Sequence, residues 1–244
     1  MVTTVPPRRV GDIRRPSCQS SPAKHSRIQT NWQSQVSKEK VTTNERAARN
    51  WHRLLQFSCT GCGNCCRGTM VMLTDADVRR IAVGTRRAAR EFVQFVSEQE
   101  ISIDKRSPWW IRFGAERRIM VLRWKGDTSC LFLDSSNRCT IYDHRPVTCR
   151  EHPFNVTLSD TGGVRLVSLS RVVDCEHGWD GRVTRQDLRV VQHWNDRQSD
   201  SYLQKVCLWN RRFGTQGSTS GFLRFLGVAP QPGSSDHQGN AGQR

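Results

Sequence analysis

Apolar positions along this chain fall into short groups of differing period, separated by polar turns. Residues 1–43 carry Ser, Thr, Gln, Pro and basic side chains with no sustained apolar period, and read as a disordered basic leader. The pattern changes after Thr43. Ala47, Trp51, Leu54 and Leu55 take helical spacing over residues 45–57, behind a cap at Thr43 or Asn44. Residues 70–73 form a short apolar run that reads as a strand. Thr74 to Asp77 has the form of a capping box and predicts a helix to about residue 83. A second helix is expected from Thr85, with Ala88, Ala89, Phe92, Phe95 and Val96 as its buried stripe.

Beyond Pro108 the period shortens. Residues 119–124 and 130–133 read as strands around a turn at Gly126-Asp127, and residues 134–137 as another turn. A short helical segment is expected near 145–150 and a strand over 164–169. Thr184 opens a long helix with Leu188, Val191, Trp194, Leu203 and Val206 as burial candidates. Residues 221–228 predict a last short helix, and 229–244 a disordered Gln/Gly/Ser tail. The expectation is an α+β fold: a cysteine-rich domain over 44–228 with short strands, flanking helices and disordered termini.

Composition narrows the setting. The 244 residues are 36% hydrophobic, enough for one core of modest size. No run of about 18 apolar residues occurs, and the arginines near the N-terminus lack the apolar stretch of a secretory signal. A cytoplasmic location is therefore expected, with no membrane partner. In a reducing compartment ten cysteines suggest metal ligands or redox chemistry; a disulfide framework fits an exported chain better. Net charge is +16, of which residues 1–43 supply +6. Such a basic balance attracts nucleic acid or acidic partners, although a solvated arginine-rich face explains it as well.

The strongest chemical signal is Cys59-Thr-Gly-Cys62-Gly-Asn-Cys65-Cys66. A C-x-x-C turn can aim two sulfurs at one metal, and Gly61 and Gly63 permit the tight backbone this needs. Soft thiolates select zinc, copper(I) or iron–sulfur centres over magnesium or calcium. Cys130, Cys139, Cys149 and Cys175 follow singly, which makes eight candidate metal ligands in all. Cys18 and Cys207 are set aside as bystanders. Eight thiolates suffice for two four-cysteine sites, and adjacent Cys65 and Cys66 suit different metals better than one. His144, His152 and His177 lie near the second set as substitute ligands. A zinc ribbon would show a second C-x-x-C, which is missing; dispersed single cysteines suit a cluster better, so iron–sulfur leads while zinc stays open.

The quartet, followed by Cys139-Thr-Ile-Tyr142-Asp-His-Arg145-Pro146-Val-Thr-Cys149-Arg150-Glu-His-Pro153, resembles the CxxCxxCC cysteine-cluster family over roughly residues 55–180. That family is described as zinc- or iron-chelating, and its members are often labelled iron–sulfur oxidoreductases. The resemblance implies Cys59, Cys62, Cys65, Cys66, Cys139 and Cys149 as ligands, with Tyr142, Arg145, Pro146, Arg150 and Pro153 in support, and a bacterial source. Arg145 and Arg150 are candidates to offset thiolate charge around the cofactor; salt bridges to Asp143 or Glu151 are the plainer alternative. Cys130 and Cys175 rest on position and count.

Three functions follow. The first is a metal-binding or redox protein with a protein redox partner. Some relatives are labelled flagellin lysine N-methylases, implying S-adenosylmethionine and a protein substrate, although no G-x-G-x-x-G follows a strand here. The third is a zinc-stabilised nucleic-acid module, with Trp109 and Trp110 as stacking residues unless they are core. The sequence assigns no catalytic residue; His144 and His152 are acid–base candidates beside the metal. If metal organises the domain, its removal should disturb more than local loops.

Overall fold

Thr74 starts the first helix as its sequence predicts. Its hydroxyl accepts from the Asp77 N–H while the Asp77 carboxylate accepts from the Thr74 N–H, closing a capping box before α1 (Asp75–Thr85). The computed structural model describes residues 51–170 and 174–229. The leader expected to be disordered, Cys18 and the tail from residue 230 lie outside the described residues. In chain order the remaining elements are β1 (Ser58–Cys59), α2 (Ala89–Phe92), β2 (Val93–Ser97), β3 (Ile111–Phe113), β4 (Glu116–Leu122), α3 (Val147–Glu151), β5 (Phe154–Leu158), β6 (Val164–Leu169), β7 (His177–Gly178), α4 (Arg185–Arg212) and α5 (Thr219–Phe225). Short 3-10 turns cover Trp51–Gln56, Asn64–Cys66 and Tyr142–His144. Helices and strands alternate without a βαβ repeat, and the fold is α+β.

The central sheet has the order β2-β4-β3, all antiparallel. Ile119, Met120, Val121 and Leu122 of β4 are all buried, so this strand is covered on both faces and reads as a continuous apolar run. α1 contributes Val78 and Ile81, α4 contributes Tyr202, Leu203, Val206 and Trp209, and α5 contributes Phe222 and Leu223 to the same core. A second, smaller apolar cluster gathers Trp51, Val167 and Leu188 under the β5–β6 hairpin. α4 begins on a Thr184–Asp187 capping box, and its 28 residues span about 42 Å at the helical rise. Leu188 near its start sits in the small cluster and Trp209 near its end in the large one. Val191 and Trp194 are half-buried. No helix among the described residues is long and apolar enough to cross a membrane.

Several expected elements take another form. Thr85 ends α1: its hydroxyl bonds back to the Ile81 carbonyl, and Arg86 follows with a left-handed φ of 55°. What reads as a second helix becomes the one-turn α2 and then β2, because Val93, Phe95 and Val96 pair against Leu122, Met120 and Ile119. Tertiary pairing outweighs an apolar spacing that fits either element. Residues 130–133 form no full strand: they carry the isolated bridges Trp124↔Cys130 and Leu133↔Cys139 and single backbone bonds such as Leu131 N–H to the Arg123 carbonyl (3.0 Å). Residues 70–73 bond to β4 through Leu73 N–H to Met120 O (3.0 Å) and Leu122 N–H to Val71 O (2.8 Å) without forming a full strand. The segment after Trp51 is a 3-10 turn where an α-helix is expected. Strands β3 and β5 have no counterpart in the sequence reading.

Candidate metal centre

Two glycines shape the first cysteine loop. Gly61 and Gly63 have φ of 74° and 76°, which other residues adopt only at a cost. Gly63 is also packed closely: a Cβ there would lie 2.7 Å from the Asn137 carbonyl oxygen. The Cys66 N–H donates to the Gly63 carbonyl (2.9 Å) and closes the turn that presents Cys65 and Cys66.

Polar bonds then draw in distant segments. β1 pairs with β7, matching Cys59 to His177. Thr60 Oγ1 donates to the Glu176 carbonyl (2.7 Å) and Asn64 Nδ2 to the Asp174 carbonyl (2.8 Å), so both neighbours of Cys175 are tied to the loop. The Cys130 N–H donates to the Cys66 carbonyl at 2.7 Å. Arg67 bonds the Asn137 side chain and Leu133 bridges Cys139, which brings the 133–139 turn alongside. Cys149 rides on α3, whose first N–H, that of Val147, donates to Asp77 Oδ1 (3.0 Å). Asn195 of α4 bonds Glu151 at the other end of α3 (2.6 Å). Thr60, Asn64, Asp77 and Asn195 escaped the sequence reading; apart from the Asp77 capping box, nothing local marks them.

All eight candidate cysteines line one open cavity of about 630 Å³. They divide in burial: Cys130 is buried, Cys59 is exposed, and the other six are intermediate. Among the described residues, no three His, Cys, Asp or Glu side chains already meet at a single-ion position. The thiols are arranged along a wall. Arg138, Arg145, Arg150 and His152 share that wall with Val71, Leu122, Ile141 and Phe154, and no carboxylate among the described residues does.

Crowding and burial raise the thiol pKa of Cys65, Cys66, Cys139, Cys149 and Cys175. The Cys66 thiol is pushed up to about 12, first by its hydrogen bond to Cys130, while Cys130 is lowered because it receives that bond. Cys65 is raised chiefly by its bond to Cys66, and Cys149 chiefly by burial. Cys175 is pushed up to about 12 by burial first and then by the charges of Cys62 and Cys59. Arg145 works against these effects at Cys65, Cys139 and Cys149. A soft cation reverses the balance, since coordination removes the thiol protons outright.

The chain matches, over residues 58–200, the family described as CxxCxxCC, "Putative zinc- or iron-chelating domain". The chain belongs to the CxxCxxCC family. No curated protein and no solved structure matches it. Membership supports metal binding, and the donor set fits: eight soft sulfurs, no hard carboxylate, and cationic groups to offset charge.

Around the CxxCxxCC cavity the two arginines form no ion pair with Asp143 or Glu151. Arg145 lies over the Tyr142 ring (3.5 Å to its centre) and donates from Nε to the Tyr142 carbonyl (2.8 Å). Arg150 donates to the Asp143 and Arg145 carbonyls, and its guanidinium lies 5.5 Å from the centre of the Trp194 ring. Trp194 also has Arg80 at 4.5 Å, which fixes the Arg150 side of the cavity to α1 and α4. Pro146 precedes α3 as its N-cap. Of the three histidines, His152 alone lines the cavity. His144 packs on Gly84 of α1, and His177 stacks on Phe57 with Nδ1 at 2.6 Å from the Cys175 carbonyl. Cys207 lies on α4 and takes no part in the cavity wall.

Proposed function

We propose that this CxxCxxCC protein holds an iron–sulfur centre in the thiol-lined cavity and serves a redox or metal-handling role with a protein partner. The carrying observation is that all eight cysteines line one space of about 630 Å³. A four-thiolate zinc site is closed, with Zn–S bonds of about 2.3 Å and no room between the sulfurs. Eight thiols around one space, with no three meeting at a single-ion position among the described residues, suit a polynuclear group whose own metal and sulfide atoms fill the interior. When bound, such a cluster supplies one-electron chemistry, with a potential set by net charge, hydrogen bonds to sulfur and solvent access. Arg145 then offsets thiolate charge, the Trp194–Arg150 contact steadies one wall, and Val71, Leu122 and Ile141 keep water from part of the lining.

No observation favours the S-adenosylmethionine reading. The nucleic-acid reading loses its stacking platform, because Trp109 and Trp110 are buried at 5% and 4% exposure. Anaerobic purification tests the proposal, with iron and acid-labile sulfide assays and a visible spectrum. A brown protein with sulfide is expected; a colourless, fully folded one carrying zinc and no sulfide refutes it.

A further inference from the structure

The eight thiols are unevenly placed along the cavity. Cys59 and Cys62 lie on the loop toward solvent, and Cys175 is delivered to them by the β1–β7 pair and the flanking Thr60 and Asn64 bonds. The Cys175 thiol is within hydrogen-bonding reach of Cys62, and its further thiol neighbours are Cys59 and Cys65. At the inner end Cys66 and Cys130 are joined twice, through the Cys130 N–H to Cys66 carbonyl bond (2.7 Å) and through their thiols. Cys139 and Cys149 are the next sulfurs around that pair, and both also neighbour Cys65, which stands between the two groups. Cys65 and Cys66 stand on a 3-10 turn, where consecutive side chains diverge by about 120°. Their thiols still lie within hydrogen-bonding reach of each other, so this pair marks where the outer and inner groups of sulfurs meet.

We propose that the cavity holds two four-thiolate metal centres, an outer one on Cys59, Cys62, Cys65 and Cys175 and an inner one on Cys66, Cys130, Cys139 and Cys149. The Cys65–Cys66 peptide bond joins them. This rests on the metal-binding reading and deepens it: Cys130 and Cys175, which lie outside the family's recognisable motif, become the ligands that complete each set. The outer centre is nearer solvent, since Cys59 is exposed, whereas Cys130 of the inner one is buried. A centre near the surface can exchange with a partner while the inner one is shielded.

The test is metal and sulfide content per chain of the anaerobically purified, fully loaded full-length protein, with cluster type read from its EPR spectrum after reduction. Two [4Fe–4S] centres give about eight irons and about eight sulfides, and two zinc sites about two zinc ions without sulfide. The zinc result sustains the partition while sinking the iron–sulfur reading. A single four-iron cluster per chain does the reverse. The variants C175S and C130S should each keep half the metal, with different spectra and without the magnetic coupling of two reduced clusters. Identical spectra from the two variants, or complete metal loss from both with unchanged circular dichroism, overturn the proposal.

Discussion

Asp77 is the residue on which the geometry of the Cys149 wall most depends, so replacing it is the most informative single change. Its carboxylate is 1% exposed and serves four partners. It accepts from the Thr74 N–H (3.0 Å) and hydroxyl (2.7 Å), from Arg80, and from the Val147 N–H at the start of α3 (3.0 Å). Asp77→Ala strips the α1 cap, leaves a largely buried guanidinium unpaired and orphans the Val147 N–H. Breaking a buried ion pair costs about 3–5 kcal/mol; one unsatisfied buried donor alone costs about 1–3 kcal/mol. These losses share one carboxylate and do not add, so about 3–5 kcal/mol is the expected total. For a chain of this size that lowers Tm by roughly 6–20 °C, at about 2–4 °C per kcal/mol. Asp77→Asn keeps an acceptor for Val147 and should lose less than the alanine variant. Equilibrium urea unfolding under reducing conditions, with metal content matched, measures both. An Asp77→Ala midpoint within about 1 kcal/mol of the parent, at unchanged slope, would show that Asp77 does not organise this region.

Three further outcomes follow from the cysteine loop and its supports. Gly63→Ala should lose most bound metal, since a Cβ meets the Asn137 carbonyl at 2.7 Å, whereas Gly61→Ala, with open space around it, should cost only about 1–2 kcal/mol for its left-handed backbone; equal metal loss in both would contradict the packing argument. Burial lifts Glu151 from 4.5 to about 8, against the bond from Asn195 and with help from the Asp196 and Asp77 charges. The folded chain thus keeps a proton that the unfolded chain releases above about pH 4.3, so this group's contribution falls as pH rises toward about 8 and then levels. Glu151→Gln should flatten that fall, read from urea midpoints across the range; an unchanged slope would place the effect elsewhere. Chelation under reducing conditions should raise amide exchange in 58–66, 130–149 and 174–178 while β2, β4 and the second half of α4 stay protected, and uniform loss across the chain would contradict this.

Local chemistry was legible and distant chemistry was not. The capping boxes at Thr74 and Thr184 mark α1 and α4 because each satisfies helix-end donors within four residues. The β6 strand and the Gly61 and Gly63 turn carry similarly local signals. The register of β2 against β4 depends on partners some 25 residues away, and its apolar spacing suits a helix equally. Asp77 to Val147, Asn64 to Asp174 and Trp194 to Arg80 are chance pairs as far as the sequence shows. The cysteines themselves stood out, but which lie together depends on these unmarked bonds.

The cavity sits between two apolar clusters of unequal strength, and this decides how metal couples to the fold. Val71, Leu122, Cys130 and Ile141 line it from the large core, Phe154 and Val183 from the small one. The large core closes without the cysteine loop, because α1, α4 and α5 pack directly against β2, β3 and β4. The small cluster has three buried residues, Trp51, Val167 and Leu188, and it depends on α4 and on the short β1–β7 pair to stay in register. Cys175 belongs to the same segment as β7, whereas Cys66 is tied by a backbone bond to Cys130 and so to the large core. A metal bridging Cys175 to the loop therefore fastens the weak side of the molecule to the strong one. Its binding energy should appear as order in the hairpin side and the loops, with little gained by a sheet that is already complete.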